Sequence, residues 1–227
     1  MNTITDKPGV TRILLADDHA IVREGLRALL EREADISVVA ESSDGRSTVA
    51  TAKKFLPDIV LMDINMPDLN GIEATHQLKN ELPEIRVIVL SMHVDKYMVG
   101  LALQAGARGF LPKDCASEEL AVALRTVAGH KIYISPNLGF PVYKSVLHET
   151  ELQQFVIHSL LTQKEREVLQ LIAEGHPSKE IASRLRSSIR TIEHHRQHIM
   201  SKLNLHSIAD LTKFAIREGM TSLEIRG

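Results

Sequence analysis

Acidic side chains, a serine and a lysine follow four short apolar runs in the first half of the 227-residue chain. Asp17 and Asp18 follow the first run and Asp63 the third, whereas Ser91 and Lys113 follow the fourth and fifth. If the runs are parallel strands, their carboxyl ends meet at one edge of a sheet and these side chains converge. Three neighbouring carboxylates repel one another, and a hard divalent cation prefers oxygen ligands. The sequence therefore predicts a magnesium site formed by the three aspartates.

A carboxylate beside magnesium is also a nucleophile for a phosphoryl group. Asp63 leads into the turn at residues 64–67, which would hold its carboxylate outward, and the backbone carbonyl of Asn65 can complete the metal shell. Ser91 can donate a hydrogen bond to a phosphoryl oxygen, and Lys113 can pair with one. A lone aspartate often caps a helix and a lone lysine is usually solvated, so the prediction depends on their joint placement.

The apolar runs alternate with helical patterns, which is typical of βα units around a parallel sheet. Near-continuous apolar strands indicate burial on both faces. The predicted strands are residues 13–16, 36–40, 59–62, 87–90 and 109–111. The predicted helices are residues 20–32, 45–55, 71–81, 95–105 and 117–128. This part of the chain is therefore predicted to be an α/β doubly wound, five-stranded parallel sheet.

The last part of the chain has only helical patterns. Thr162 and Glu165 have the spacing of a capping box, and Gly175 ends the helix that they begin. The short turn that ends at Ser188, an N-cap residue, suits a helix-turn-helix. Four short helices are unstable singly, so they must pack together. The predicted core side chains are Leu169, Ile172, Ile181, Leu185, Ile192, Ile199, Leu203 and Leu211. We expect an all-α, four-helix domain.

Charge, together with prolines and glycines that interrupt regular structure, divides the chain into two parts. Pro136, Gly139 and Pro141 interrupt the regular patterns and indicate a linker. Residues 158–227 carry 11 Lys and Arg against 8 Asp and Glu, whereas residues 1–157 carry 16 against 21. An acidic N-terminal part and a mildly basic C-terminal part indicate different partners. The predicted bounds are 11–130 for the first domain, 131–157 for the linker and 158–222 for the second domain.

The bulk composition predicts a cytoplasmic protein without a membrane segment. Its single cysteine, Cys115, cannot form an internal disulfide bond. No apolar run approaches the roughly 18 to 20 residues that span a bilayer. Residues 1–10 lack the apolar core of a signal peptide.

Four segments of the first domain resemble the receiver domain of two-component response regulators. They are Leu14–His19, Asp63–Gly71, Leu90–Met92 and Gly109–Asp114. The resemblance implies that Asp63 is the phospho-acceptor and that Asp17 and Asp18 bind magnesium with it. It also implies that Ser91 senses the phosphoryl group and that Phe110 is the switch aromatic.

The second domain resembles the LuxR-type DNA-binding domain, and the whole chain resembles the NarL/FixJ family. The matching segments are Leu161–Leu169, Glu174–Gly175, Lys179–Ala182, Thr191–Arg196 and Ile199–Leu203. The resemblance implies that the helix at residues 189–204 enters the major groove of DNA. Its exposed face then offers Glu193, His194 and Gln197 as base readers. The predicted phosphate contacts are Lys179, Arg190 and Lys202, and Thr191 completes the predicted DNA-contact set.

Some residues depart from the family pattern. Met92 stands where many receivers have a small residue, which would change access to the phosphoryl group and its lifetime. Phe110 replaces a tyrosine that is common elsewhere, and Pro112 precedes Lys113, where many receivers have proline after the lysine. Glu193 stands where many relatives have lysine, so base specificity cannot be transferred from them.

Three alternatives compete with this interpretation. A phosphohydrolase with an aspartyl-phosphate intermediate needs an acid two residues after the nucleophile, where this chain has Asn65. A regulator that works unphosphorylated would not need the intact acidic pocket. His194 and His198 have the spacing of a two-histidine metal site, but no acidic or cysteine partner completes the ligand set.

The favoured interpretation is a response regulator and not an enzyme, apart from magnesium-dependent phosphoryl transfer to its own Asp63 and slow autodephosphorylation. The resemblance implies a sensor histidine kinase and double-stranded promoter DNA as partners, with RNA polymerase as a further candidate. It also implies a homodimer in the phosphorylated or DNA-bound state.

Overall fold

The structure, a computed structural model, describes residues 9–92, 96–115, 117–138 and 160–221. The first domain contains a parallel sheet of six strands in the order β2-β1-β3-β4-β5-β6. The strands are β1 (Thr11–Ala16), β2 (Ile36–Ser42), β3 (Ile59–Asp63), β4 (Arg86–Ser91), β5 (Gly109–Pro112) and β6 (Tyr133–Ile134). Because β1 lies between β2 and β3, the chain changes winding direction there and leaves a crevice at the carboxyl ends of the strands.

Helices cover both faces of this sheet. They are α1 (Ala20–Leu30), α2 (Gly45–Phe55), α3 (Gly71–Glu81), α4 (Lys96–Ala105) and α5 (Ser117–Ala128). Successive side chains of β1 alternate between two cores: Leu14 packs with α2, α3 and α4, whereas Ile13 and Leu15 pack with α1 and α5. The predicted doubly wound α/β fold is confirmed.

A sixth strand extends the predicted five-stranded sheet. β6 has two residues, pairs with β5 in parallel, and is followed by a short 3-10 helix at Pro136–Leu138. Both elements lie in the segment that was predicted to be linker. Residues 139–157 of that predicted linker lie outside the described residues.

Four helices form the second domain, as predicted. They are α6 (Gln163–Ala173), α7 (Ser178–Arg184), α8 (Ile189–Leu203) and α9 (Ile208–Arg217). The capping box of Thr162 and Glu165 is present, and Ser188 caps α8 by accepting from the amide of Thr191. All eight predicted core side chains lie in the apolar cluster of this domain, although Leu203 is only partly buried.

The second domain contacts the first mainly through α6. Arg166 forms two bonds with the buried carboxylate of Glu73 on α3, at 2.5 and 3.1 Å. Glu167 is bound by Arg46 of α2 at 3.0 Å. A second contact joins α4 to the end of α9, where the hydroxyl of Tyr97 donates to Glu218 at 3.0 Å.

Candidate functional site

Asp17, Asp63 and Lys113 form the centre of the acidic site at the carboxyl ends of the strands. The Nζ atom of Lys113 lies 2.7 Å from Asp17 Oδ2 and 2.8 Å from Asp63 Oδ2. Asp63, which ends β3, is only 2% exposed, and Asp17 follows β1 directly. The loop after β5 brings Lys113 to them, and its amide donates to the carbonyl of Ser91 at the end of β4. The structure therefore brings together residues from four strand ends, as the sequence predicted.

Burial and charge act in opposite directions on this site. Burial raises the pKa of Asp63 above its ordinary value; Lys113 opposes this rise and the carboxylate of Asp17 adds to it. Burial alone lowers the pKa of Lys113, but Asp63 and Asp17 raise it above its ordinary value. Lys113 is therefore a cation that faces two carboxylates.

The turn after β3 holds the Asp63 carboxylate in place. The amide of Asn65 donates to Asp63 Oδ1 at 3.3 Å, and the amide of Gly71 donates to the carbonyl of Ile64 at 2.8 Å. Gly71 begins α3 so close to β3 that a Cβ atom there would lie 2.0 Å from the carbonyl oxygen of Asp63. Asp68 adopts a left-handed φ of 65° within the turn. The close approach of α3 to β3 explains why position 71 needs glycine.

The donor set suits a hard divalent cation. Ligand atoms of Asp17, Asp18, His19 and Asp63 all lie within 4.8 Å of one another. The site holds three carboxylates and one lysine ammonium, which leaves net negative charge for a cation to neutralise. The Nδ1 atom of His19, to which the sequence prediction gave no role, lies 2.8 Å from Asp18 Oδ1. The site therefore fits magnesium by its chemistry.

Three further residues of the predicted site lie around this centre. Ser91 is buried at the end of β4. Phe110 on β5 is fully buried in the core that includes α4, so the aromatic ring points inward. Met92, the residue after Ser91, is 70% exposed.

The predicted DNA-contact residues divide into two groups. Lys179, Arg190, Thr191, His194 and Gln197 are all exposed. The rings of His194 and His198 lie against each other, with centroids 4.0 Å apart.

Glu193 and Lys202 are engaged inside the second domain. Glu193 accepts a hydrogen bond from Ser178 at 2.5 Å and pairs with Arg196 at 2.5 Å. Lys202 lies 2.7 Å from the buried carboxylate of Glu165. A DNA contact by either residue would have to share its charged group with these partners or break the bonds.

Comparisons with known proteins assign both domains to families. Residues 13–125 match the response regulator receiver domain, and residues 159–215 match the bacterial regulatory proteins of the LuxR family. The transcriptional regulatory protein MctR of Rhizobium johnstonii is 36% identical over 96% of this chain and 99% of its own. The transcriptional regulatory protein DegU of Brevibacillus brevis is 34% identical over 92% and 94%. The chain belongs to the LuxR-type response regulators.

Solved structures of related response regulators support this membership. RcsB of Salmonella enterica serovar Typhimurium, bound to promoter rprA in the presence of phosphomimetic BeF3-, has 26% identity and a TM-score of 0.61. That match covers 90% of this chain and 98% of the other. A further structure holds two RcsB dimers on two parallel DNAs, with 27% identity, 90% and 97% coverage and a TM-score of 0.56.

This response regulator is a DNA-binding transcription regulator of a two-component system, as predicted, and not an enzyme in the usual sense. Among the helices that the structure describes, none is both long enough and apolar enough to cross a bilayer.

Sequence reasoning missed one set of residues near the acidic site of the response regulator. Gln170 on α6 and Glu174, which directly follows α6, bond to the backbone of the loop after Asp63. No sequence motif indicated this contact. The only signal in the sequence is a glutamine at position 170 between apolar residues on both sides.

Proposed function

We propose that this response regulator accepts a phosphoryl group on Asp63 from a partner sensor histidine kinase and thereby controls its own binding to promoter DNA. The observation that carries the proposal is the placement of a buried carboxylate, Asp63, 2.8 Å from the ammonium of Lys113 and beside the carboxylate of Asp17. This is the arrangement that phosphoryl transfer to a carboxylate needs.

In the proposed reaction a carboxylate oxygen of Asp63 attacks phosphorus, and the donor leaves with the electron pair of the bond that breaks. Lys113 stays charged because both carboxylates raise its pKa, so its ammonium neutralises a phosphoryl oxygen. Ser91 donates a hydrogen bond to another oxygen. Magnesium, held by Asp17, Asp18, Asp63 and the backbone carbonyl of Asn65, supplies further positive charge when it is bound.

The proposed output is DNA binding by the second domain as a homodimer in the cytoplasm. His194 and Gln197 read bases, and Lys179, Arg190 and Thr191 hold the DNA backbone. Exposure of all five side chains supports this assignment. Glu193 joins the base readers if its bonds to Ser178 and Arg196 open, and Lys202 contacts phosphate either by leaving Glu165 or through its remaining N–H donors. RNA polymerase is a further proposed partner.

Phosphorylation with a small donor tests the proposal. Purified protein with magnesium and acetyl phosphate should acquire one acid-stable, base-labile phosphoryl group, detected by intact mass spectrometry. Asp63→Asn should abolish the label. Asp58→Asn is the matched control, because Asp58 precedes the same strand at its opposite end and is exposed. Labelling of Asp63→Asn at the wild-type level would place the acceptor elsewhere.

A further inference from the structure

Gln170, on α6 of the second domain, is completely buried, and its amide bonds to the loop that follows Asp63 in the first domain. Its Nε2 atom donates to the carbonyl of Met66 at 3.0 Å, and its Oε1 atom accepts from the amide of Asn70 at 2.9 Å. Nε2 also donates to Glu174 at 2.8 Å. A buried amide with three bonds is held in one orientation.

Glu174 adds a third bond to the same loop. Its Oε2 atom accepts from the amide of Asp68 at 3.3 Å, and Arg184 of α7 pairs with the side chain of Asp68. Inside the loop, the amide of Leu69 donates to the carbonyl of Pro67 at 2.7 Å. The second domain therefore supplies partners for three backbone groups between residues 66 and 70, which would otherwise bond to water.

The loop that is held in this way is the one that carries the proposed metal ligand. The carbonyl of Asn65 lies one residue before the carbonyl of Met66 that Gln170 binds, and Asp63 lies two residues before Asn65. A metal site needs its ligands oriented before binding, and the groups that bond to the neighbouring atoms set that orientation. We propose that Gln170 is a positioning residue of the phosphorylation site, through which the docked second domain preorganises the Asp63 loop for magnesium. This inference rests on the proposed function of that site.

Other contacts hold the two domains together independently of Gln170. They include the Arg166–Glu73 and Arg46–Glu167 ion pairs and the Tyr97–Glu218 hydrogen bond. Loss of the Gln170 amide should therefore loosen the loop without separating the domains. Because binding linkage is reciprocal, magnesium binding in turn strengthens the docking of the second domain. Docking leaves His194 and Gln197 exposed, so the docked form keeps its proposed base readers accessible.

The test is magnesium affinity of the full chain, measured by isothermal titration calorimetry. Gln170→Met keeps the length and volume of the side chain but removes its amide, so Met66 and Asn70 lose their partners. We expect the Kd for Mg²⁺ to rise roughly three- to tenfold, as loss of one or two net hydrogen bonds implies. Gln170→Asn, which keeps the amide but cannot reach both groups, should act in the same direction and serves if the first variant folds poorly. Hydrogen exchange of residues 66–71 should become faster in both variants.

Gln77→Met is the matched control. Gln77 on α3 also donates across the domain interface, to Glu167 at 3.2 Å, but does not bond to the Asp63 loop. The Kd of Gln77→Met for Mg²⁺ should equal that of the wild type. An unchanged or lower Kd in folded Gln170→Met, or an equal rise in Gln77→Met, would overturn this inference and leave the proposed function intact. If the wild-type chain binds no Mg²⁺, or binds it as tightly when Asp63 is changed to Asn, the metal site of the proposed function fails and the inference fails with it.

Discussion

Gln197 and Lys179 differ in what they can recognise on DNA. Gln197 lies on the exposed side of α8, where its amide can pair with two atoms of an adenine edge. Lys179 is an exposed cation on α7 and can attract any phosphate. One residue should therefore determine specificity, and the other should contribute affinity for every sequence.

Alanine substitutions separate the two roles. Gln197→Ala should cost about 1 to 3 kcal/mol on the preferred site and little on scrambled DNA, whereas Lys179→Ala should weaken both and reduce the salt slope by about 1. The measurement is binding of each folded variant to both duplexes across a salt series. Equal losses on the two duplexes for Gln197→Ala would remove it from the base readers.

Single residues also show what the sequence can predict and what it cannot. The site aspartates and Lys113 could be predicted because strand ends of a parallel sheet must converge. The bonds of Glu193 to Ser178 and Arg196 could not, because a helical pattern gives the face of a residue but not its partner. The same is true of Gln170, whose partners in the first domain, Asn70 and Met66, lie 100 and 104 residues away in the chain.

At the scale of elements, the close contact between β3 and α3 determines where Asp63 sits. A side chain at Gly71 would collide with the carbonyl oxygen of Asp63, whereas a Cβ at Gly25 of α1 would meet nothing within 4 Å. Gly71→Ala should therefore destabilise the first domain by about 1 to 3 kcal/mol. Gly25→Ala should stabilise it by about 0.5 to 1 kcal/mol, because alanine is the better helix former. Thermal unfolding of the two full-length variants measures both effects, and a stable Gly71→Ala would show that the two elements can separate freely.

The capping box of α6 is joined to the end of α8 by an ion pair. Burial raises the pKa of Glu165, but Lys202 and Thr162 hold it below its ordinary value of 4.5. A lowered pKa means that the ionised form contributes stability above about pH 4.5, and that this contribution is lost as the pH falls through the lower folded-state value.

Lys202→Met removes one cause of that lowered pKa. At neutral pH the variant should be less stable by about 1 kcal/mol, because the pair is partly exposed on the lysine side. Its melting temperature should also fall less than that of the wild type as the pH is lowered from about 6 to well below 4.5, through the folded-state pKa of Glu165. Melting curves measured at several pH values decide the matter, and parallel pH dependence in the two proteins would show that Lys202 does not stabilise the ionised carboxylate.

Elements with strong patterns could be predicted and weak ones could not. The five longer strands are near-continuous apolar runs, which buried parallel strands require. β6 has only two residues, and it follows α5 where proline and polar residues suggested a linker. Its pairing with β5 comes from tertiary context that no local pattern records.

At the scale of the whole molecule, an acidic part at residues 1–157 carries the proposed phosphorylation site, and a mildly basic part at residues 158–227 carries the proposed DNA contacts. The contacts of α6 with the Asp63 loop join the second domain to the proposed phosphorylation site. A signal at Asp63 can influence DNA binding only if phosphorylation biases the arrangement or assembly of these domains.

If phosphorylation of Asp63 controls DNA binding, the affinity of the full chain for its own promoter sites must depend on phosphorylation. Mapping of genome-bound sites supplies those sequences. Affinity is then measured at one fixed salt concentration, with and without acetyl phosphate, for the wild type and Asp63→Asn. The phosphorylated wild type should bind these sites more tightly, and the variant should not respond to acetyl phosphate. Equal affinity of the wild type in both states, or an equal response from Asp63→Asn, would contradict it.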